Sequence, residues 1–471
     1  MFDIIKCMCK KVFSCVRANE HLSEYFECPI GLRQGSMESP LLFSLCISDL
    51  YNLLMKYGGK GIRFSPDHTE VKILMYADDV VLIADSPNEL QRHITALNKF
   101  CKQWKMNVNI DKTKVMVFRK GGRLRHDEKW FLNGKVIECV KSYKYLGVNV
   151  STGNKWGKAT TCLAEQGQKA LSALIGVSYK AGFLSYVPFF KIFDSCVLPI
   201  LLYASEIWGI QSYKSIENIQ VKACKKLLGV SIHTANVAAV GECGRYPIHV
   251  NTVLRCVKYW TKLLQMSSNR FPKICYKMLY DLDQEQNVTT WATLVKNMIF
   301  RLGFGYVWIT QDVGCVEIFM CTISRRLCDI ASQEWFADVC NTPKLRTYRN
   351  FKTLLTPEKY LLEICDYRYR KSLSRLRCSN HMLKVEMGRR ENIDYYDRIC
   401  SLCNTASIEN EYHFIMSCPF FVDIRSEMLP SWSINAPNEA KFISLMSTEN
   451  AHDLQCLSKY VFYAMKIRDS I

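Results

Sequence analysis

The chain has 471 residues, with 62 Lys and Arg against 44 Asp and Glu and a formal charge of +18. Hydrophobic content of 49% and charged content of 23% are ordinary for globular protein, which excludes a disordered or fibrous chain and allows several packed units. A basic excess of this size favours polyanionic partners, nucleic acid above all, and leaves the fold open.

Met1–Lys10 carries Asp3, Lys6 and Lys10 without a continuous apolar core, so no signal peptide is read there. The most apolar run, Val197–Ala204, is too short to span a bilayer. The 23 cysteines are scattered and fit reduced thiols in nucleus or cytoplasm, with one metal site as the exception. Neither an internal repeat nor a low-complexity tract is present.

In chain order, Gly31-Leu32-Arg33-Gln34-Gly35 comes first, a loop that runs into Ser39-Pro40. Ser is a good N-cap and Pro suits the first helical position, so a helix is expected from there, with Leu42, Cys46, Leu50 and Leu53 on its apolar face. Gly35 permits close backbone approach to a planar or charged ligand, and Gln34 adds donors and an acceptor. Next, Tyr76-Ala77-Asp78-Asp79 separates two apolar runs, Val71–Met75 and Val80–Ala84, which predicts a hairpin with adjacent carboxylates at its apex. Adjacent acids repel, and divalent cations that move phosphoryl groups need such oxygen ligands. A solvated Asp-rich turn is the plain alternative for the pair taken alone.

Ser86-Pro87-Asn88-Glu89 reads as a capping box before a helix carrying Leu90, Ile94, Leu97, Cys101 and Trp104. Asp111–Lys114 precedes a strand-like Val115–Phe118; Lys112 there either neutralises a leaving pyrophosphate or is a solvated turn lysine. Asn133-Gly134 is a two-residue hairpin signal, and Tyr143–Gly147 reads as a strand. Lys155–Gly209 has helical spacing and ends in an apolar run, Val221–Gly229 is a basic helix, and 231–360 reads as further helices. Tyr367–Arg377 interleaves rings with Arg368, Arg370, Lys371, Arg375 and Arg377, as a nucleic-acid-binding helix or a solvated face would. Cys400-x2-Cys403 followed by His413-x4-Cys418 is tetrahedral zinc spacing; four protein ligands make it structural.

The loop and helix Gly31–Phe43, followed by Tyr76–Asp79, resemble the reverse transcriptases of non-LTR (LINE-type) retrotransposons. The Lys112-Thr113 pair, Tyr143–Gly147, the run through Gly209, and Leu373–Phe421 with its Gly388-Arg389-Arg390 are similar to later segments of that family. The resemblance implies an α+β fold: the C-terminal part of a right-hand polymerase palm, a helical thumb, a helical connector and a small zinc knuckle. The expected division is partial palm at 1–120, primer-grip-like hairpin and thumb at 121–230, connector with the basic segment at 231–390, knuckle at 391–425 and helical tail at 426–471.

The resemblance further implies two-metal nucleotidyl transfer in the intact parent enzyme, an RNA-directed DNA polymerase. Asp78 and Asp79 would hold Mg2+ or Mn2+, Lys112 would act beside them, and Arg33, Gln34, Gly35 and Tyr76 would contact the deoxynucleotide. Cys400, Cys403, His413 and Cys418 would hold structural Zn2+. Template RNA, target DNA and primer would be partners, and no membrane would be involved. The family's other metal-binding Asp lies well upstream of the Gly-Leu-Arg-Gln-Gly loop, so the chain is expected to begin beyond it, Asp3 being the only early carboxylate and unlike it in context. The alternatives are a catalytically dead remnant that binds nucleic acid and a group II intron-type reverse transcriptase.

Overall fold

The computed structural model describes residues 12–28, 31–33, 35–64, 70–119, 121–122, 128–153, 155–285 and 288–471. They fall into two units, Met1–Tyr143 with Ser151–Gly153, and Lys144–Val150 with Asn154–Ile471. The first mixes helices with two-stranded sheets; the second is almost wholly helical. The structure is therefore α+β, as expected. No helix among the described residues is long and apolar enough to cross a membrane.

In the first unit, α1 spans Ser39–Tyr57. Its N-cap is Glu38 rather than the expected Ser39, and no side chain caps it. Pro40 still sits in the first turn, where its missing N–H leaves no bond unmade. The β1 (Ile73–Tyr76) and β2 (Asp79–Leu82) strands form the expected antiparallel hairpin. α2, Pro87–Gln103, begins where Ser86 accepts the Glu89 N–H. The other half of the capping box is absent, because the Glu89 carboxylate accepts the Lys60 N–H at 2.6 Å instead. Leu50 and Leu54 of α1, Ile73 of β1, and Ala96, Phe100 and Cys101 of α2 close a core that Val80 and Leu82 of β2 join.

A second small core gathers Ile94, Val115, Trp130, Leu132 and Ile137. β3 (Trp130–Leu132) and β4 (Lys135–Ile137) turn through Asn133 and Gly134, both at positive φ, as an Asn-Gly hairpin requires. Gln91 of α2 bonds both polar backbone groups of Phe131 and so ties this ribbon to the helix. Val115–Phe118 forms no strand; Val115 makes a single parallel bridge to Cys139. The expected strand at Tyr143–Gly147 is β5, Ser142–Tyr145, and it turns through Leu146-Gly147 into β6, Val148–Ser151.

The second unit is built on α3 (Gly157–Lys180), α4 (Lys214–Leu228), α5 (Ile248–Gln265), α6 (Val316–Asn341), α7 (Tyr367–Arg377) and α8 (Ala451–Arg468), with shorter helices between. The apolar run at 197–204 is not one helix. A wide turn, Phe193–Val197, precedes Leu198–Leu201, and Ala204 at φ +52° starts a fresh turn. Pro199 explains the break: it lacks the N–H that a continuous ladder needs. One apolar core runs from Leu163 of α3 through Leu373 of α7, Cys400, Phe414 and Cys418 to Ala464 of α8. The segments expected to form thumb, knuckle and tail thus pack on one another. A separate core joins α5 to α6, with Trp260 stacked on Trp308 at 5.6 Å.

Candidate functional site

Asp78 and Asp79 lie exposed at the β1–β2 apex, where Tyr76 pairs with Asp79 across the strands. Ala77 has φ +51°, a conformation that costs a residue with a Cβ on the order of 1 kcal/mol and tends to persist at functional turns. Ile73, Val80 and Leu82, packed on α1 and α2, anchor the strands below. Tyr76 is 65% exposed beside the two acids. Neither carboxylate takes part in an ion pair among the described residues, so both keep oxygens free for a cation. This donor set fits a hard divalent metal.

Arg33 and Gly35 are exposed, and Gly35 has φ +83° with open space where a Cβ would stand. Gln34 and Asp3 lie outside the described residues. Lys112 occupies a turn held at both ends: its N–H donates to Asn109 Oδ1 at 3.1 Å, and its carbonyl accepts the Tyr143 hydroxyl at 2.8 Å. Its ammonium is exposed. Among the described residues no hydrogen bond or ion pair joins Arg33 or Lys112 to the hairpin apex. Tyr76 and Asp79 pair across the apex beside Asp78.

Cys400, Cys403, His413 and Cys418, the residues expected to hold zinc, are brought together in the second unit. An antiparallel bridge between Ile399 and Ile408 closes the loop that carries Cys400 and Cys403, and the Cys400 N–H donates to the Ser407 carbonyl at 2.9 Å. His413 opens a short wide turn, and the Cys418 N–H returns to the His413 carbonyl at 2.8 Å. The four candidate ligand atoms lie within 4.8 Å of one another. A tetrahedron with arms of about 2.3 Å has edges of roughly 3.8 Å, so small shifts accommodate Zn2+. His413 Nε2 is 3.4 Å from Cys403 Sγ, while Nδ1 meets the Ser417 hydroxyl at 3.2 Å.

Burial pushes the Cys400 and Cys418 thiols up, Cys418 to about 12. Burial acts the same way on Cys403, but hydrogen bonds, first from Thr405, outweigh it and hold that thiol below its ordinary value. Burial also lowers the pKa of the His413 imidazole and so favours the neutral form that binding a metal would need. Ser417 and Asn410, whose Oδ1 accepts the His413 N–H at 2.8 Å, orient this ligand. Sequence spacing had not singled them out; their i+4 and i−3 offsets from the histidine are the signal that would have.

The basic helix differs from expectation. Arg370 and Arg377 of α7 are buried, not turned outward. Arg370 donates to the carbonyls of Ile364 and Leu184, and Arg377 pairs with Glu242 and Glu358. The helix packs on α8 as well as on α4, so a cation on either inward face must find an internal acceptor. Arg368 is exposed but bound to Asp366 at 2.8 Å. Arg375 remains exposed, and Lys371 is half-buried.

Residues 2–150 match the family model described as reverse transcriptase (RNA-dependent DNA polymerase). The chain is 30% identical over 204 residues to a probable RNA-directed DNA polymerase from transposon BS of Drosophila melanogaster, covering 41% of this chain and 21% of that protein. It is 26% identical over 208 residues to the RNA-directed DNA polymerase from mobile element jockey of Drosophila funebris, covering 43% and 22%. It is 22% identical over 241 residues to a putative 115 kDa protein in type-1 retrotransposable element R1DM of Drosophila melanogaster, covering 49% and 22%. The chain spans about a fifth of the length of these relatives.

Proposed function

We infer that this chain, whose residues 2–150 form a reverse transcriptase domain of the non-LTR retrotransposon kind, supplies the hairpin side of an RNA-directed DNA polymerase active site. The exposed, unpaired Asp78-Asp79 pair on a hairpin anchored by α1 and α2 carries this reading. The two acids would hold Mg2+ or Mn2+, which supplies charge stabilisation for in-line attack of a primer hydroxyl on the α-phosphate. Arg33, Gln34, Gly35 and Tyr76 would orient the deoxynucleotide, and Lys112 would neutralise charge on the departing pyrophosphate. The helices around α3 and α4 would serve as thumb, and the zinc cluster would hold the C-terminal helices in place for template RNA and target DNA. The relatives favour this over a group II intron-type enzyme.

A second reading, a nucleic-acid-binding protein without polymerase activity, draws on one observation. Among the described residues no third acid, cysteine or histidine gathers with Asp78 and Asp79. Primer extension separates the two. The chain is assayed on an RNA template with a DNA primer, alone and joined to the upstream fingers-and-palm segment of a relative. The polymerase reading expects extension at least in the joined protein, lost on Asp78→Asn. Extension that survives Asp78→Asn, or none in either form while template binding is intact, removes it.

A further inference from the structure

Beyond the last turn of α3, Gly182 and Phe183 have φ of +74° and +70°. Phe183 is thus an aromatic residue in the region that favours glycine, and its backbone is strained. The turn closes through the Phe183 N–H donating to the Ser178 carbonyl at 2.7 Å. The strain does not serve to bury the ring, which stays 39% exposed. Instead Phe183 stacks on Tyr367 of α7, centroids 3.9 Å and planes 7° apart. Tyr179 meets Phe183 edge-on at 5.6 Å and keeps 70% of its surface open. Rings gathered at a surface in this way match what unpaired bases stack on.

Cations flank the rings. Tyr367, Lys371 and Arg375 share one face of α7 at successive turns and press on Gly229, at the end of α4. A Cβ at Gly229 would stand 2.7 Å from the Tyr367 hydroxyl and 2.8 Å from Lys371 Cγ, and Arg375 Nε donates to the Gly229 carbonyl at 3.0 Å. Lys371 Nζ lies 5.7 Å over the Tyr367 ring. On α4 itself, exposed Lys222 reaches Gln168 of α3 at 2.8 Å, and exposed Lys226 follows one turn later on the same side. No carboxylate pairs with Lys222, Lys226, Lys371 or Arg375 among the described residues. Like charges left uncompensated beside one another favour an anionic partner.

We propose that the Tyr179–Phe183–Tyr367 rings, with Lys226, Lys371 and Arg375, form a ledge that binds an unpaired nucleic-acid strand. Bases stack on the rings and phosphates meet the cations. A duplex would satisfy the cations but keeps its base faces stacked inside, and an acidic peptide would leave the rings without a role. The ledge rests on the nucleic-acid-handling part of the function proposed above, and extends it to a single-stranded partner.

The test uses the full 471-residue chain with zinc and labelled oligonucleotides: single-stranded RNA, single-stranded DNA of the same sequence, and the matched RNA–DNA duplex. Binding is followed by fluorescence anisotropy across a salt series. Tyr179→Ala should weaken single-strand binding roughly tenfold, the loss of about one stacked base, with duplex affinity within twofold. Phe183→Gly relieves the strained backbone, so it should fold as well as the parent and still bind the single strand more weakly. Lys226→Gln with Lys371→Gln should flatten the salt slope by about 0.7 for each cation removed. Loss on both RNA and DNA supports the ledge, and loss on only one supports it and identifies the strand. Unchanged single-strand affinity in Tyr179→Ala, or an equal loss on the duplex, overturns it. Primer extension is read in parallel on the chain joined to the upstream segment of a relative: no extension there, with single-strand binding intact, counts against the polymerase reading alone.

Discussion

Arg377 and Glu242, 135 residues apart in the chain, meet deep in the helical unit, with Nε 2.8 Å from Oε2 and Nη2 3.1 Å from Oε1. The guanidinium also reaches Glu358 at 2.6 Å and the Met446 carbonyl, and the Phe351 ring lies 4.6 Å from it. Burial opposes its charge, but the two carboxylates outweigh burial and hold it more firmly protonated than an ordinary arginine. Removing one partner strands a buried charge. Arg377→Ala should therefore lower stability by about 3–5 kcal/mol, against less than about 0.5 kcal/mol for the surface change Lys226→Ala. Chemical denaturation of the two variants measures the difference; similar midpoints would show that the buried network contributes nothing.

That pair also shows where the sequence was legible. The β1–β2 and Asn133-Gly134 hairpins follow from short-range rules, alternation and turn chemistry, and both form where expected. The clustering of Cys400, Cys403, His413 and Cys418 was readable because their spacing is local. The inward turn of Arg370 and Arg377 was not, since it depends on acceptors from Leu184, Glu242 and Glu358, remote in sequence. Pattern alone cannot tell a basic surface helix from one that buries two of its arginines. The same holds for Phe183, a part-exposed ring on a backbone conformation no propensity rule assigns to phenylalanine.

The zinc cluster gives a second prediction. The reduced chain should bind one Zn2+, and Cys403→Ser or His413→Ala should each abolish tight binding. Ser417→Ala removes the partner of the His413 Nδ1 and should weaken zinc affinity about 10–100-fold without abolishing it. Since Cys400 and Cys418 share a core with α8, chelation should lower the melting temperature of the helical unit as well as disorder a local loop. Metal analysis and calorimetry on the full chain test this, and a zinc-free reduced protein with an unaltered melting curve would remove the site.

A third prediction concerns pH. His93 of α2 is fully buried, and neither ring nitrogen has a hydrogen-bond partner among the described residues. Burial depresses its pKa, offset only in part by the nearby Lys60 backbone and by Glu89. The folded chain thus binds the proton less readily than the unfolded chain does. Stability is full above the unfolded value near 6.5 and falls as pH drops below it, where the unfolded state alone is charged. Melting of the parent should shift downward between pH 7.5 and pH 5.5, and His93→Gln, which cannot titrate, should lose most of that shift. An identical shift in the variant would assign the pH dependence to other groups.

The last prediction returns to the hairpin apex. Ala77 at φ +51° is what lets a two-residue turn bring Asp78 and Asp79 to the apex above Val80 and Leu82. Glycine adopts that conformation without strain, whereas a β-branched side chain at positive φ is disfavoured more strongly than alanine. In an extension-competent form of the protein, Ala77→Gly should keep primer extension within severalfold of the parent. Ala77→Val should reduce it by tenfold or more, because a displacement of about 1 Å at a catalytic group costs on the order of a hundredfold. Both variants should melt close to the parent, since the apex is exposed and buries nothing. Equal activity of Ala77→Val and Ala77→Gly would show that the turn conformation does not position the carboxylates, and the anchoring would then have to come from the strands alone.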